Sequence, residues 1–402
     1  MRISNPEFEF LVLLSRPGIT ELESARVRDL LGRPLDWQLF LVLAQRHRVL
    51  PLVSRNLYGF AERIPPDVAA AIRSAALEIA NSNLHAVRTL LELVATAQSV
   101  DIRAIPYKGP TLALEAYGDI ALRSFVDIDV LIAKKDLSRL RRELVRKEYS
   151  ETLGYSRSLE QRYLRTGAEF PLRSPGGVLV ELQWQVVPRY FALEFNFDNL
   201  WQRRRPLKIA GQSVSQLSPE DLLVVLCVHG GKHKWERLAW ISDVAALISN
   251  NVQLDWGYIR SASRNLGASR AVLLGLELSG RLFGVPMPRE ARALGRDRTA
   301  LALAQQVEAQ SLASTIAPDS APDGRLSFHQ VAFLWRLRER LRDRMTFAIR
   351  LLFTPSISDW RLVDLPSPFS SLYYPIRIGR LFWRALHRSS PDETGARGSY
   401  RR

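Results

Sequence analysis

Two aspartates at the start of an apolar segment are the residues of this sequence best suited to chemistry. Asp127 and Asp129 stand one residue apart in the segment SFVDIDVLIA. Alternate residues of a strand point to the same face, so a strand over 127–133 would place both carboxylates together at its beginning. Like charges so close repel each other unless they take up a proton or share a cation. The pair therefore indicates either a solvated strand end or a cation site.

Three neighbouring features favour the cation site. Glu181 lies on the polar face of another predicted strand and could supply a third carboxylate. Lys108 and Gly109 fall at a predicted strand-to-helix turn, where backbone N–H groups and the helix dipole suit phosphate. Arg123 and Ser124 directly precede the aspartates and carry donors for phosphate oxygens. Converging carboxylates are ligands for hard cations such as Mg²⁺ or Mn²⁺, and two such ions can promote an in-line phosphoryl displacement.

The surrounding sequence predicts a small mixed sheet that would position these residues. Apolar patterns bounded by Gly and Pro predict two strands, over 102–107 and 127–133. They also predict two helices, over 111–117 and 136–148, and a hairpin over 168–186. The turn of that hairpin would be Ser174-Pro175-Gly176-Gly177, and Gly211 would close a second hairpin.

Helical regions are predicted on both sides of the sheet. The first hundred residues follow helical spacing and include a helix that starts at Pro65-Pro66-Asp67 and runs toward residue 98. The helical period returns at Ser218, a capping serine followed by a proline and two acids. We therefore predict an α+β fold. It would have an N-terminal helical region over residues 1–99, a core with the sheet over 100–215, a C-terminal helical region over 216–390 and a disordered tail over 391–402.

The C-terminal region is predicted to stay helical to about residue 350, with a loop at 318–324 that is rich in Pro, Asp and Ser. Five arginines lie between positions 336 and 344, and the helical spacing over 333–352 puts six apolar residues on one stripe: Phe333, Leu337, Leu341, Met345, Ala348 and Leu352. This pattern predicts one amphipathic helix with its stripe on the core and its arginines in solvent. A docking surface for nucleic acid or anionic lipid is the alternative interpretation.

The composition of the chain indicates its cellular compartment and the kind of partner it binds. The formal net charge is +15, and 15 arginines against 6 acids from Arg325 onward give +9 in the last fifth of the chain, which favours a polyanionic partner. Cys227 is the only cysteine, so neither a disulfide framework nor a Cys-based zinc site is predicted. No apolar run reaches the roughly 18 residues of a membrane span, and the N-terminus lacks the pattern of a signal peptide. We therefore expect a cytoplasmic protein.

The order of these motifs resembles the uncharacterised nucleotidyltransferase family of bacteria, within the polymerase-beta-like superfamily. Besides the Lys-Gly turn and the acid pair, the similar segments are LVELQWQV at 179–186, VHGGKHKWERLAWISDV at 228–244 and DWRLVDLP at 359–366. Lys108-Gly109 stands where the superfamily usually has a Gly-Ser turn, and it is similar to the turn of the AbiEii-type toxin nucleotidyltransferases. The resemblance covers most of the chain and implies that residues 100–215 form a nucleotidyltransferase core.

The resemblance also implies a magnesium-dependent enzyme that transfers a nucleotidyl group from an NTP and releases pyrophosphate. It implies that Asp127 and Asp129 form the metal-binding pair and that Glu181 is the third acid, which usually activates the acceptor. The acceptor stays open among RNA, protein, sugar and small molecules. The alternative is a catalytically inactive basic scaffold that binds nucleic acid or an anionic membrane surface, and the three intact acids argue against it.

The segment 228–244 adds further candidates. Lys232 is one of only 7 lysines against 49 arginines, and we expect it to contact a triphosphate. His229 and His233 are spaced to share one helical face, but two glycines lie between them and no third ligand is apparent. A polar contact to nucleotide, or an internal hydrogen bond, is therefore expected of the histidines rather than zinc binding. Asp243 is expected to be a structural hydrogen-bond acceptor.

Overall fold

The computed structural model describes residues 5–251, 253–312, 327–363, 365 and 367–387. Its N-terminal part contains the helices α1 (Pro6–Leu14), α2 (Glu21–Leu31), α3 (Trp37–Arg46), α4 (Leu50–Leu57) and α5 (Pro66–Ser99), with a 3₁₀ turn at Tyr58–Arg63. The side chains of Asn5, Thr20 and Asp36 accept backbone hydrogen bonds at the starts of α1, α2 and α3. The predicted long helix after Pro65 is confirmed, since α5 has 34 residues.

The middle of the chain forms the predicted mixed sheet. Its strands and helices are β1 (Ala104–Pro106), α6 (Pro110–Tyr117), β2 (Asp127–Ile132), α7 (Leu137–Arg146), β3 (Ser150–Glu151), α8 (Arg157–Thr166), β4 (Glu169–Arg173), β5 (Leu179–Gln183), α9 (Phe197–Arg203), β6 (Arg205–Ile209) and β7 (Gln212–Gln216). Three 3₁₀ turns span Ile120–Leu122, Lys134–Asp136 and Arg189–Phe191. Across the sheet the order is β1-β2-β5-β4-β3, with β2 and β5 parallel and the other neighbours antiparallel. Both predicted hairpins are confirmed, and β6 and β7 form the second one, separate from the sheet.

The two faces of β2 pack against different layers. Ile128, Val130 and Ile132 are buried in a core shared with α5 and α7, whereas Leu131 belongs to the core of the N- and C-terminal helices. Alternate residues of a strand point to opposite faces, so Asp127 and Asp129 share the face of Leu131. The sheet therefore presents its acid pair toward the helical regions.

The C-terminal part is helical. Its elements are α10 (Pro219–Lys232), α11 (Leu238–Asn250), α12 (Trp256–Leu266), α13 (Ser269–Phe283), α14 (Arg298–Gln306), α15 (Phe328–Leu337), α16 (Leu341–Phe353), α17 (Ile357–Leu362) and α18 (Tyr373–His387), with 3₁₀ turns at Glu290–Leu294 and Ser367–Leu372 and a π-helical turn at Val307–Leu312. Ser218 caps α10 as predicted, because its side chain accepts a hydrogen bond from the backbone N–H of Asp221. Helices α1 to α4 share one hydrophobic core with α10 to α14. Within the described ranges, each helix is too short or too polar to cross a bilayer.

The prediction of one core-facing helix over 333–352 is wrong. The chain forms two helices there, α15 and α16, which are separated by residues 338–340. Leu341, Met345 and Leu352, all predicted to face the core, are 69%, 48% and 49% exposed. The predicted loop at 318–324 and the predicted disordered tail at 391–402 lie outside the described residues.

The break has a physical cause in Arg338, which the sequence pattern placed in solvent. Its side chain is buried, and its guanidinium carbon lies 4.3 Å and 4.0 Å from the ring centres of Phe191 and Phe347. It donates a hydrogen bond of 2.7 Å to the carbonyl of Phe191 and another, of 2.5 Å, to that of Leu334. Arg338 adopts an extended conformation (φ −77°, ψ 128°), which ends α15. A buried arginine that contacts two carbonyls and two aromatic rings therefore divides the predicted helix.

Candidate active site

The acid pair stands at the first residues of β2. Asp129 is opposite Glu181 in the parallel register of β2 and β5, while Asp127 is opposite Leu179. Asp129 is 2% exposed, and Asp127 is half-buried. The strand begins with carboxylates at one edge of the sheet and continues as buried apolar residues, as the sequence predicts.

A network of polar side chains surrounds Asp129. The Nζ atom of Lys108 lies 3.1 Å from Asp129 Oδ1, and Gln183 Nε2 donates a hydrogen bond of 2.6 Å to the same oxygen. Gln183 Nε2 also lies 2.9 Å from Glu181 Oε2, while its Oε1 accepts a hydrogen bond from the Tyr107 hydroxyl. Gln183 thus links two acids of neighbouring strands. Sequence reasoning missed this role, although the alternation of Gln183 with Glu181 on one strand face was a signal for it.

Burial and neighbouring acids raise the pKa values of two carboxyl groups at the site. Burial raises the pKa of Asp127, the charge of Asp129 adds to that rise, and Lys108 opposes it. Burial, followed by the charges of Glu169 and Asp129, raises the pKa of Glu181 to about 8. Both carboxyl groups therefore lie where a further positive charge would stabilise their ionised forms.

The donor set fits a hard cation by its chemistry, because carboxylate oxygens are the ligands that Mg²⁺ takes. The fit rests on the raised pKa values of Asp127 and Glu181 and on the register that places Glu181 beside Asp129. Among the described residues, no group of three or more His, Cys, Asp or Glu side chains is already arranged to hold a metal ion.

The Lys-Gly turn lies directly against the acid pair. Gly109 caps α6 with φ 61° and ψ −130°, a conformation that favours glycine. A Cβ atom at this position would lie 3.1 Å from the carbonyl oxygen of Asp127. Behind the turn, Thr111 Oγ1 donates a hydrogen bond of 3.0 Å to the carbonyl of Lys108. Close packing of this turn on β2 therefore positions the Lys108 side chain next to Asp129.

Arg123 is held at the site by a buried ion pair. Its Nε atom lies 3.0 Å and 3.1 Å from the two carboxylate oxygens of Asp243 in α11, and its Nη2 atom lies 3.1 Å from Oδ2. Tyr117 donates a hydrogen bond of 2.9 Å to the same carboxylate, and Asn83 donates one of 2.8 Å to the carbonyl of Arg123. The Nη1 atom of Arg123 is buried and has no hydrogen-bond partner in the described part of the chain. The expected role of Asp243 as a structural acceptor is confirmed.

A cavity of about 580 Å³ opens between the sheet and the helices. On the sheet side it is lined by Lys108, Arg123, Ser124, Phe125, Val126, Asp127 and Asp129. On the helical side it is lined by Val42, Gln45, Arg46, Arg48, His229, His233, Glu236, Arg237, Ala239 and Trp240. Of these described lining residues, five are Lys or Arg and three are Asp or Glu. The cavity thus combines a pair of acids with an excess of positive charge, which suits a phosphorylated ligand together with a cation.

The structure brings most of the predicted site residues together. Five of them line the cavity: Lys108, Arg123, Ser124, Asp127 and Asp129. Gly109 packs against the backbone of β2, and Glu181 is connected to Asp129 through Gln183.

Lys232 is half-buried at the end of α10 and is not among the described residues that line the cavity. Sequence reasoning missed Gln45, Arg46 and Arg48, which reach the cavity from the end of α3 and the turn after it. No motif marks these residues, because they lie far from the acid pair in the chain.

The fold and the cavity define an α+β protein in which an acid pair, a lysine and an arginine share one site. The chain belongs to the uncharacterised nucleotidyltransferase family, whose model matches residues 33–284, so the predicted family is confirmed. Among solved structures, an antigenic nucleotidyltransferase-like protein from Paracoccidioides brasiliensis is 21% identical, and the match covers 51% of this chain and 95% of that chain with a TM-score of 0.30. No curated protein matches the sequence.

Proposed function

We propose that this protein transfers a nucleotidyl group from an NTP to an acceptor and releases pyrophosphate, and that the cavity beside Asp127 and Asp129 is the active site. One observation carries the proposal: in a member of a nucleotidyltransferase family, this acid pair shares a cavity with Lys108 and Arg123. Nucleotidyl transfer requires two kinds of side chain: acidic side chains that bind cations and positively charged side chains that bind phosphate.

The basic residues of the sheet side would bind the phosphates. Lys108 and Arg123 both line the cavity, and the unpaired Nη1 atom of Arg123 is a donor for a phosphate oxygen. Asp243 fixes the direction of the guanidinium by holding its Nε and Nη2 atoms. Gly109 allows the turn that carries Lys108 to lie against β2.

The acids would hold divalent cations. Asp127 and Asp129, with Glu181 as the third acid, would bind Mg²⁺ or Mn²⁺, and cations bound there neutralise phosphate charge and steady the attacking and leaving oxygens. In the transfer, a bond forms between the acceptor oxygen and the α-phosphorus, and the bond from that phosphorus to the β-phosphate oxygen breaks. Glu181, which lies opposite Asp129 in the register of β2 and β5, would accept the acceptor's proton.

The position of a radioactive label tests the proposal. The protein is incubated with Mg²⁺, cell extract and an NTP labelled either at the α-phosphorus or at the γ-phosphorus. Nucleotidyl transfer predicts that a component of the extract gains the α-label and that the γ-label leaves as pyrophosphate. Transfer of the γ-label would show a phosphoryl transferase instead. No transfer of either label, with no binding of NTP, would support the inactive basic scaffold.

A further inference from the structure

Three aromatic side chains form one wall of the cavity on its helical side. We call His229, His233 and Trp240 the aromatic wall; the histidines come from the end of α10 and the tryptophan from α11. Their ring centres lie 4.7 Å apart for the two histidines, 5.0 Å apart for His233 and Trp240, and 5.6 Å apart for His229 and Trp240. The three rings therefore form one contacting cluster, in which the His233 ring is tilted by 36° to the Trp240 ring and the His229 ring meets it edge-on at 88°.

The aromatic wall lines the same cavity as Lys108 and Arg123, the residues proposed to bind phosphate. Burial lowers the pKa of His229, and the charge of Lys108 adds most to that effect, so the first ring of the wall lies within the field of that lysine. Burial also lowers the pKa of His233, which leaves both rings neutral near pH 7. Asp129 and Lys108 line the same cavity as His229, His233 and Trp240, so the acid pair and the wall face one space.

Trp235 packs closely on the end of α10 that carries the two histidines. Trp235 is fully buried, and three of its ring atoms lie 2.5–2.6 Å from where a Cβ atom would stand at Gly230. Gly230 is therefore needed for close packing on Trp235, a Cβ atom at Gly231 would lie 2.7 Å from Leu337 Cδ2, and α10 continues through both glycines to Lys232. Lys234 and Trp235 adopt left-handed conformations with φ 53° and 54°, in the turn that connects the two histidines to α11. Non-glycine residues rarely adopt this conformation, and such strain is concentrated at functional sites.

We propose that the aromatic wall is the subsite for the base of the NTP. The base would pack on Trp240 and His233 while the phosphates lie at Lys108 and Arg123. This inference rests on the proposed function and adds where the base of the donor nucleotide is bound. Bases stack on aromatic side chains with sequence-tolerant affinity, and neutral imidazoles can both donate and accept hydrogen bonds at a base edge.

Variants of Trp240 can distinguish binding of the base from binding of the phosphates, if a ligand with a base is compared with a ligand without one. Trp240→Ala and the matched control Trp240→Phe are compared with wild type by calorimetry in Mg²⁺, with two probes: tripolyphosphate and a non-hydrolysable α,β-methylene NTP. We expect Trp240→Ala to weaken the NTP analogue about 10-fold and to leave the affinity for tripolyphosphate unchanged. Trp240→Phe keeps an aromatic face and should bind the analogue within about 2-fold of wild type.

Two results would overturn the inference while the proposed function stands. The first is an unchanged affinity of Trp240→Ala for the NTP analogue, which would place the base elsewhere. The second is an equal loss of both probes, which would make Trp240 a support of the phosphate site. Wild-type protein that binds neither probe would contradict the proposed function, and the inference with it. Circular dichroism and melting curves establish that each variant is folded.

Discussion

The buried ion pair between Arg123 and Asp243 joins two segments that lie 120 residues apart in the chain. Arg123 precedes the acid pair of β2, and Asp243 lies in the middle of α11, next to the aromatic wall. Both side chains are nearly inaccessible, at 10% and 1% exposure. The ion pair therefore connects the sheet side of the cavity to its helical side.

Removing one partner of this pair should destabilise the protein strongly. Asp243→Asn leaves the Arg123 guanidinium buried without its counter-charge, so we expect the free energy of unfolding to fall by about 3–5 kcal/mol. The double variant Arg123→Met with Asp243→Leu removes both charges and should lose less. Urea unfolding of both variants measures the difference. A loss below about 1 kcal/mol in Asp243→Asn would show that the pair is not stabilising.

Gly230 should not tolerate even a methyl group. Gly230→Ala places a Cβ atom 2.5 Å from the ring of the fully buried Trp235, so the ring or the helix must shift. We expect a destabilisation of about 1–3 kcal/mol, although alanine favours a helix. Gly379→Ala in α18 is the control, because no heavy atom lies within 4 Å of the added Cβ there. That variant should unfold at the same or a higher urea concentration, and equal behaviour of the two variants would contradict the packing described for the wall.

The two histidines of the wall should make stability depend on pH. Their pKa values lie well below 6.5 in the folded protein, because burial and the charges of Lys108 and Lys232 disfavour the protonated rings. As pH falls through 6.5, the unfolded chain binds protons that the folded chain does not bind. The free energy of unfolding should therefore decrease below about pH 6.5, by up to about 1.4 kcal/mol per pH unit for each histidine.

The control for this pH dependence is an exposed histidine. The double variant His229→Gln with His233→Gln should show a flatter dependence between pH 7 and pH 5 than wild type. His85→Gln, at an exposed position of α5, should keep the wild-type slope. Equal slopes in all three proteins would contradict the low pKa values.

The ionised carboxylate of Asp127 should destabilise the folded protein when no metal ion is bound. Its raised pKa shows that burial and Asp129 disfavour the ionised carboxylate. Asp127→Asn removes that charge at nearly constant volume, so with EDTA at pH 7.5 the variant should melt at a higher temperature than wild type. Glu148→Gln, at an exposed carboxylate, should stay within about 0.5 kcal/mol of wild type. A lower melting temperature for Asp127→Asn would show that this carboxylate has a structural role.

The local parts of the fold could be predicted from sequence because short-range patterns determine them. The start of α10 follows from the capping of Ser218, the hairpin of β4 and β5 follows from its Pro-Gly turn, and β2 follows from its apolar run. The acid pair with Lys108 and Arg123 could likewise be found, since all four lie within one short segment.

The features that could not be predicted from sequence depend on contacts between segments that are distant in the chain. The contribution of Arg46 and Arg48 to the cavity depends on how the turn after α3 meets the start of α11, where the N–H of Ala239 donates to the carbonyl of His47, and no local pattern specifies this contact. The break before α16 depends on Phe191 and Phe347 enclosing Arg338, whereas the sequence pattern favours one continuous helix. Tertiary contacts overrode the helical periodicity there.

The central claim, nucleotidyl transfer at the acid pair, is tested most directly by the rate at which α-labelled NTP modifies its acceptor in Mg²⁺. Wild type, Asp127→Asn and Glu148→Gln are compared at equal concentration, after melting curves have shown all three to be folded. Loss of residues that only support metal ligands typically costs about 10–100-fold, so loss of a ligand should cost more than about 100-fold. We predict that Asp127→Asn falls to background with matching loss of pyrophosphate release, while Glu148→Gln keeps the wild-type rate. Transfer by folded Asp127→Asn at the wild-type rate would contradict the account.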